Sequence, residues 1–169
     1  MSTKRSCLIV GAGIAGLTAA AALEARGWAV VLLDKGRSPG GRMATRRMGE
    51  SRLDHGAQFF TVRDARFREA AGRWELANWV ATWFSEGGHV RYRAVGGMNE
   101  LAKHLAEPFD LRTQAMVELA EPADEGWRVI TEAGESLRAA ALLLTPPAPQ
   151  SIALLAACSD RLPSEISST

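Results

Sequence analysis

Cysteine is scarce. The 169 residues hold two, Cys7 and Cys158, which make no disulfide framework and call for no oxidising compartment. Cys7 falls in an apolar stretch and reads as a small buried residue. Histidine is nearly as sparse, at three. His55 follows Asp54 with no second histidine nearby, so a structural or hydrogen-bonding role is expected and no metal site. Charge of either sign is not in excess: the net charge is +1, which gives no reason to expect nucleic acid or acidic lipid as a partner. No run of about 18 uninterrupted apolar residues is present, so no membrane span is expected. Lys4 and Arg5 before an alanine-rich stretch look like a secretory leader, but a glycine pattern and a second strand explain the same residues better. A cytoplasmic protein is expected. No serine or cysteine nucleophile has a partner set, no catalytic side chain stands out, and there is no internal repeat.

What is present is one ordinary soluble composition, 47% hydrophobic and 23% charged, organised around residues 8–34. Leu8, Ile9 and Val10 lead into Gly11-Ala12-Gly13-Ile14-Ala15-Gly16, then a small-residue helix, then an apolar strand at 29–33 that ends in Asp34. This order suits an ADP moiety. The first glycine allows a tight turn, the second lets backbone approach a pyrophosphate, and the third lets helix and strand pack closely. The helix N-terminus offers N–H groups and partial positive charge to phosphate. Asp34 stands at about the ~20-residue offset of a ribose-binding acid.

Along the chain, residues 14–26 read as a helix with Ile14, Leu17, Ala21 and Ala25 towards a sheet and Gly27 as its C-cap. From 35 to 52 the chain carries Lys35, Arg37, Arg42, Arg46, Arg47 and Arg52 against Glu50 alone. With Gly36, Gly40 and Gly41, this loop is suited to cradle a phosphate. Residues 53–61 read as a turn and a short strand. Asp64 reads as the N-cap of a helix at 65–77 whose face is Phe67, Ala70, Ala71 and Trp74. Residues 78–84 alternate as a strand, with Trp79, Ala81 and Trp83 on one side, and Gly87-Gly88 turns them into a partner at 89–94. The tryptophans fit core or interface packing better than a flat-ring pocket. Gly96 to Asn99 opens a helix at 100–106. Residues 111–119, 126–132 and 136–141 read as a β-meander, and 141–145 as a strand buried in a parallel sheet, stopped by Pro146-Pro147. A short helix at 150–157 and an unanchored polar tail from Ser159 complete the chain.

These elements resemble the flavoprotein amine oxidase superfamily, and within it the bacterial renalase-like NAD(P)/FAD-dependent oxidoreductases. The resemblance is carried by the Gly11–Gly16 turn, by Asp34-Lys35-Gly36-Arg37 running into Gly40-Gly41-Arg42-Met43, and by Leu53-Asp54-His55-Gly56-Ala57-Gln58-Phe59-Phe60. Gly97-Met98-Asn99 and Leu143-Leu144-Thr145-Pro146-Pro147 complete it, over residues 7–155. It implies an α/β fold: a Rossmann-type FAD-binding βαβ unit with a parallel sheet and a β-meander, and part of an inserted substrate domain. The FAD/NAD(P)-binding domain is expected at 1–62 and 96–157, the partial insertion at 63–95, and a disordered tail at 158–169. By matching position, Gly11, Gly13, Ile14, Ala15 and Gly16 would hold the pyrophosphate and Asp34 the adenosine ribose. Arg42 would neutralise a phosphate. Ala57, Gln58 and Phe59 would run along the flavin, Met116 and Val117 would lie against the adenine, and Lys35, Gly41 and Met43 complete the expected contacts.

The chemistry so implied is hydride transfer from a dihydronicotinamide or amine-like small molecule to FAD, with reoxidation by oxygen. The relatives in this resemblance are about twice as long, so a truncated or partial form is expected, with oligomerisation possible through uncovered surface. Two alternatives stand beside this reading. One is an NAD-dependent dehydrogenase, against which the Gly40-Gly41-Arg42 loop and the meander count. The other is a non-catalytic ADP-binding module.

Overall fold

The computed structural model describes residues 5–161. In chain order the strands and helices are β1 (Ser6–Val10), α1 (Ile14–Glu24), β2 (Ala29–Leu33), β3 (Thr45–Met48), β4 (Ser51–Asp54), β5 (Phe60–Thr61), α2 (Ala65–Leu76), β6 (Val80–Glu86) and β7 (His89–Ala94). There follow α3 (Met98–Ala106), β8 (Asp110–Arg112), β9 (Val117–Ala123), β10 (Gly126–Thr131), β11 (Ser136–Ala139), β12 (Ala141–Leu144) and α4 (Ala148–Leu154). Short 3-10 turns occupy Gly41–Met43 and Ala156–Arg161. The chain forms two compact units, residues 5–38 with 108–161, and residues 39–107. The sequence reading set its two crossings at 62/63 and 95/96.

The first unit is built on a parallel sheet in the order β12-β1-β2-β8. β1 is central, paired on both edges, which is why Cys7 to Val10 form an unbroken apolar run, all buried. α1 covers the sheet through Gly16, Leu17 and Ala20. This is not the stripe expected from periodicity. Ile14 is 40% exposed, and Ala21 and Ala25 face solvent. The contact with Gly11 sets the rotation: a Cβ on Gly16 would lie 2.0 Å from the Gly11 carbonyl oxygen, so that side of the helix must face the turn. Past the end of α1, Gly27 (φ 79°) donates to the Glu24 carbonyl at 2.8 Å and Trp28 to that of Leu23 at 3.2 Å, the paired bonds of a Schellman stop.

The expected strand at 111–119 is two strands. Leu111 and Arg112 lie in β8 against β2, Gln114 turns the chain at φ 55°, and β9 begins at Val117. β9, β10 and β11 form the antiparallel meander, with Pro122 on the edge strand β9 where it interrupts no inner ladder. Leu8, Val10 and Leu33 share one core with Val117, Ala120, Val129, Ala139 and Leu155. β12 is parallel to β1 as expected, but as an end strand it is only half-buried. The C-terminal helix begins two residues early, and Cys158, expected in a disordered tail, is buried in the same core. Its sulfur lies 3.2 Å from the Leu155 carbonyl oxygen. Residues 162–169, the rest of that tail, lie outside the described residues. No helix among the described residues is long and apolar enough to cross a membrane.

The second unit holds a three-stranded antiparallel sheet, β5-β7-β6, and a separate β3–β4 hairpin where a basic loop was expected. Gly87 and Gly88, at φ 57° and 76°, make the two-residue turn between Glu86 and His89. A register shift between Thr82 and Phe84 interrupts the expected alternation at Trp83. α2 starts as expected: the Asp64 carboxylate accepts from the backbone N–H of Arg66 at 2.9 Å and of Phe67 at 3.2 Å. Its inner face packs Phe67 and Trp74 around Phe60, which also stacks on Tyr92. Trp79 stacks flat on His104 at 4.8 Å.

Candidate functional site

In the first unit the C-terminal ends of β1, β2 and β12 converge, the position where open parallel sheets bind ligands. Gly11 leaves β1 at φ 99° and donates to the Leu33 carbonyl at 2.8 Å. A Cβ there would lie 2.4 Å from Thr145 Oγ1. That hydroxyl donates to the Val10 carbonyl at 2.8 Å, pinning the turn to the end of β12. Thr145 was quoted in the sequence motif but not read as part of the site; a hydroxyl directly after an apolar strand is the signal that marks it.

Asp34 is half-buried, and its two oxygens are used separately. Oδ2 accepts from the Ala12 N–H at 2.6 Å, inside the glycine turn, and Oδ1 from the Gly36 N–H at 2.7 Å. Each oxygen keeps one further acceptor position. The backbone of Asp34 is fixed as well: its N–H donates to Arg112, and its carbonyl accepts from Ala115 at 2.9 Å. This bond brings Met116 and Val117 beside the acid. Met116 is exposed and its carbonyl accepts from Glu132, while Val117 is buried in the meander. Lys35 is exposed.

At the start of α1, Gly13 is the N-cap and no side chain caps the helix. The first intrahelical bond runs from Leu17 N–H to the Gly13 carbonyl at 3.0 Å. The N–H groups of Ile14, Ala15 and Gly16 therefore have no acceptor within the helix, in the position where backbone dipoles favour an anion.

The other expected residues lie in the second unit, in one laced segment. Ala57 N–H donates to the Arg42 carbonyl at 2.8 Å and His55 N–H to that of Ala44 at 3.2 Å. Gly56 is required there, since a Cβ would lie 2.0 Å from the Arg42 carbonyl oxygen. Gly41 and Met43 belong to the same 3-10 turn, with Met43 buried and Arg42 exposed. Gln58 is exposed, and Phe59 contacts Trp83 and Phe84.

Gly97 and Met98, by contrast, open a helix whose start is already occupied. Asp54 Oδ1 accepts from Met98 N–H at 2.9 Å and from the Thr45 hydroxyl at 2.5 Å, and Thr45 Oγ1 accepts from Asn99 N–H at 3.1 Å. Arg52 adds a bond to the Gly96 carbonyl and an ion pair with Glu100. The β3–β4 hairpin is thus the cap of α3, a role that sequence reasoning missed. Among the described residues, no group of three or more His, Cys, Asp or Glu could hold a metal ion.

Comparison with known proteins places this geometry. Residues 9–74 match the family model of the NAD(P)-binding Rossmann-like domain. A stretch of 56 residues is 48% identical to hydroxyneurosporene desaturase of Rubrivivax gelatinosus, 33% of this chain and 11% of that protein. Over 37 residues the chain is 54% identical to the tRNA 5-methylaminomethyl-2-thiouridine biosynthesis bifunctional protein of Delftia acidovorans, 22% of this chain and 6% of that protein. Among solved structures, an Exiguobacterium sp. 255-15 protein assigned as a protoporphyrinogen oxidase matches with TM-score 0.70 at 15% identity, over 91% of this chain and 62% of its own. A cofactor-binding redesign of putrescine oxidase matches with TM-score 0.70 at 15% identity, over 87% and 59%. The chain thus has a Rossmann-like α/β fold shared with these oxidases, and spans about three-fifths of their length and about a tenth of the desaturase.

Proposed function

We propose that this chain binds FAD through its ADP end and serves an oxidoreductase of the amine-oxidase type, renalase-like in its substrate. The observation that carries the reading is the Asp34 carboxylate, held by Ala12 and Gly36 with an acceptor position left on each oxygen. Those positions fit the two hydroxyls of the adenosine ribose. The uncapped N–H groups of Ile14, Ala15 and Gly16 fit the pyrophosphate. Lys35, Met116 and Val117 belong to the adenosine side. When bound, FAD supplies hydride acceptance from a carbon beside nitrogen and passes the electrons to oxygen. The chain's own residues bind and orient it. The fold shared with a protoporphyrinogen oxidase and a putrescine oxidase, and the identity to a desaturase, support a redox role.

A second reading, NAD binding alone, draws on the NAD(P)-binding family match. Asp34 would then favour NAD over NADP by repelling a 2′-phosphate. The separating experiment is anaerobic. FAD-reconstituted protein should lose its flavin colour on adding a dihydronicotinamide or a primary amine and regain it in air. Colour that neither donor bleaches, with hydride exchange to added NAD, would move the assignment to the dehydrogenase.

A further inference from the structure

The second unit's sheet has two unlike faces. Residues 59 and 60 are neighbours on one extended segment and point opposite ways. Phe60 packs into the α2 side with Phe67, Trp74 and Tyr92. Phe59 meets Trp83 at 6.3 Å and Phe84 at 6.1 Å, and the bulge at Trp83 brings these two together, 5.0 Å apart and edge to face. All three are large apolar rings left well exposed, at 38% (Phe59), 45% (Trp83) and 38% (Phe84).

Two arginines from alternate positions of β7 stand on the same rings. The Arg91 guanidinium lies 5.0 Å from the Phe59 centroid and that of Arg93 6.0 Å from the Trp83 centroid. Arg91 is poorly satisfied: its Nε is buried with no hydrogen-bond acceptor among the described residues. Its ion pair with Glu86 is long, at 3.5 Å, and the Glu86 side chain is 72% exposed. A partly desolvated guanidinium held over a ring gains from a carboxylate more than from water. Flat rings beside it offer stacking surface to an aromatic body. A cationic ligand would meet two like charges here.

We propose that the Phe59–Trp83–Phe84 face with Arg91 and Arg93 binds a planar aromatic acid, ring on ring and carboxylate on guanidinium. As the substrate class of the oxidoreductase this rests on the flavin reading, and within it selects a planar substrate that carries an acid group, besides its oxidisable carbon next to nitrogen, over a cationic amine. Arg91 and Arg93 are the specificity-determining residues.

The test is calorimetric titration of the purified chain with three probes of one shape: 2-naphthoate, 2-naphthylmethanol and 2-naphthylmethylammonium. Naphthoate should bind about tenfold more tightly than the alcohol, as one charge-assisted contact warrants, with the ammonium weakest. Arg93→Gln and Arg91→Gln, each checked for native circular dichroism, should bring naphthoate down to the alcohol's affinity while leaving the alcohol unchanged. Arg93, more loosely packed, keeps the test available if the Arg91 variant does not fold. Equal affinity for all three probes, or preference for the ammonium, would overturn the proposal. So would naphthoate binding that survives both substitutions, which would put the probe elsewhere. Running the titrations with and without FAD keeps the two readings apart. Colourless protein that still selects naphthoate retains this site and loses the flavin assignment. Yellow protein that selects the ammonium does the reverse.

Discussion

At residue scale the glycine turn depends on a contact that tolerates no added atom. A Cβ at Gly16 would sit 2.0 Å from the Gly11 carbonyl oxygen, backbone against backbone, with no flexible side chain to move aside. Gly16→Ala should lower stability by about 1–3 kcal/mol, as overpacking does, and weaken ADP binding in calorimetry. Unchanged ADP affinity would show that the turn does not hold the phosphates. Asp34→Ala strips the acceptor from two backbone N–H groups and should cost about 1–3 kcal/mol in urea unfolding. Cys7 makes the opposite kind of case. Burial pushes its thiol up from its ordinary value, so it should stay protonated and unreactive to a disulfide reagent at neutral pH until the chain unfolds. The glycines and Asp34 were legible in the sequence because each requirement is local to a strand–turn–helix–strand unit. For Thr145 only its place after an apolar strand was legible; its partners Val10 and Gly11 lie more than 130 residues away.

Among the elements, α2 was readable and α3 was not fully so. The Asp64 cap of α2 lies next to its helix in sequence, and the two backbone N–H bonds hold its carboxyl below the ordinary value of 3.8. A lowered folded-state value means that the contribution is present above the ordinary carboxylate range and is lost as pH falls through the lowered value. The stability gap between wild type and Asp64→Asn should therefore be open at neutral pH and close in acid. A gap that persists far below the carboxylate range would assign the effect to geometry instead of charge. The cap of α3 comes from Thr45 and Asp54, distant in sequence. The run Arg46-Arg47-Met48 shows no apolar alternation, so the β3–β4 hairpin gave no strand signal. It exists for the bonds it makes to the start of α3. Likewise the split of residues 111–119 into β8 and β9 was hidden, because neither glycine nor proline marks the turn at Gln114.

For the whole molecule, the core of the first unit ties sheet, meander and C-terminal helix together, so damage to β1 should be felt globally. Ile9 is fully buried on the central strand, and Ile9→Ala should cost about 2–5 kcal/mol in urea unfolding. Ile14, 40% exposed on α1, should lose far less on the same substitution; equal losses would contradict the observed helix rotation. The fold class was legible from strand and helix order. The measurement that bears most directly on function is reconstitution with FAD followed by removal of free cofactor. Protein that remains yellow, and loses the colour when Asp34 is replaced by alanine, is the expected result. Protein that stays colourless while binding NAD would contradict it.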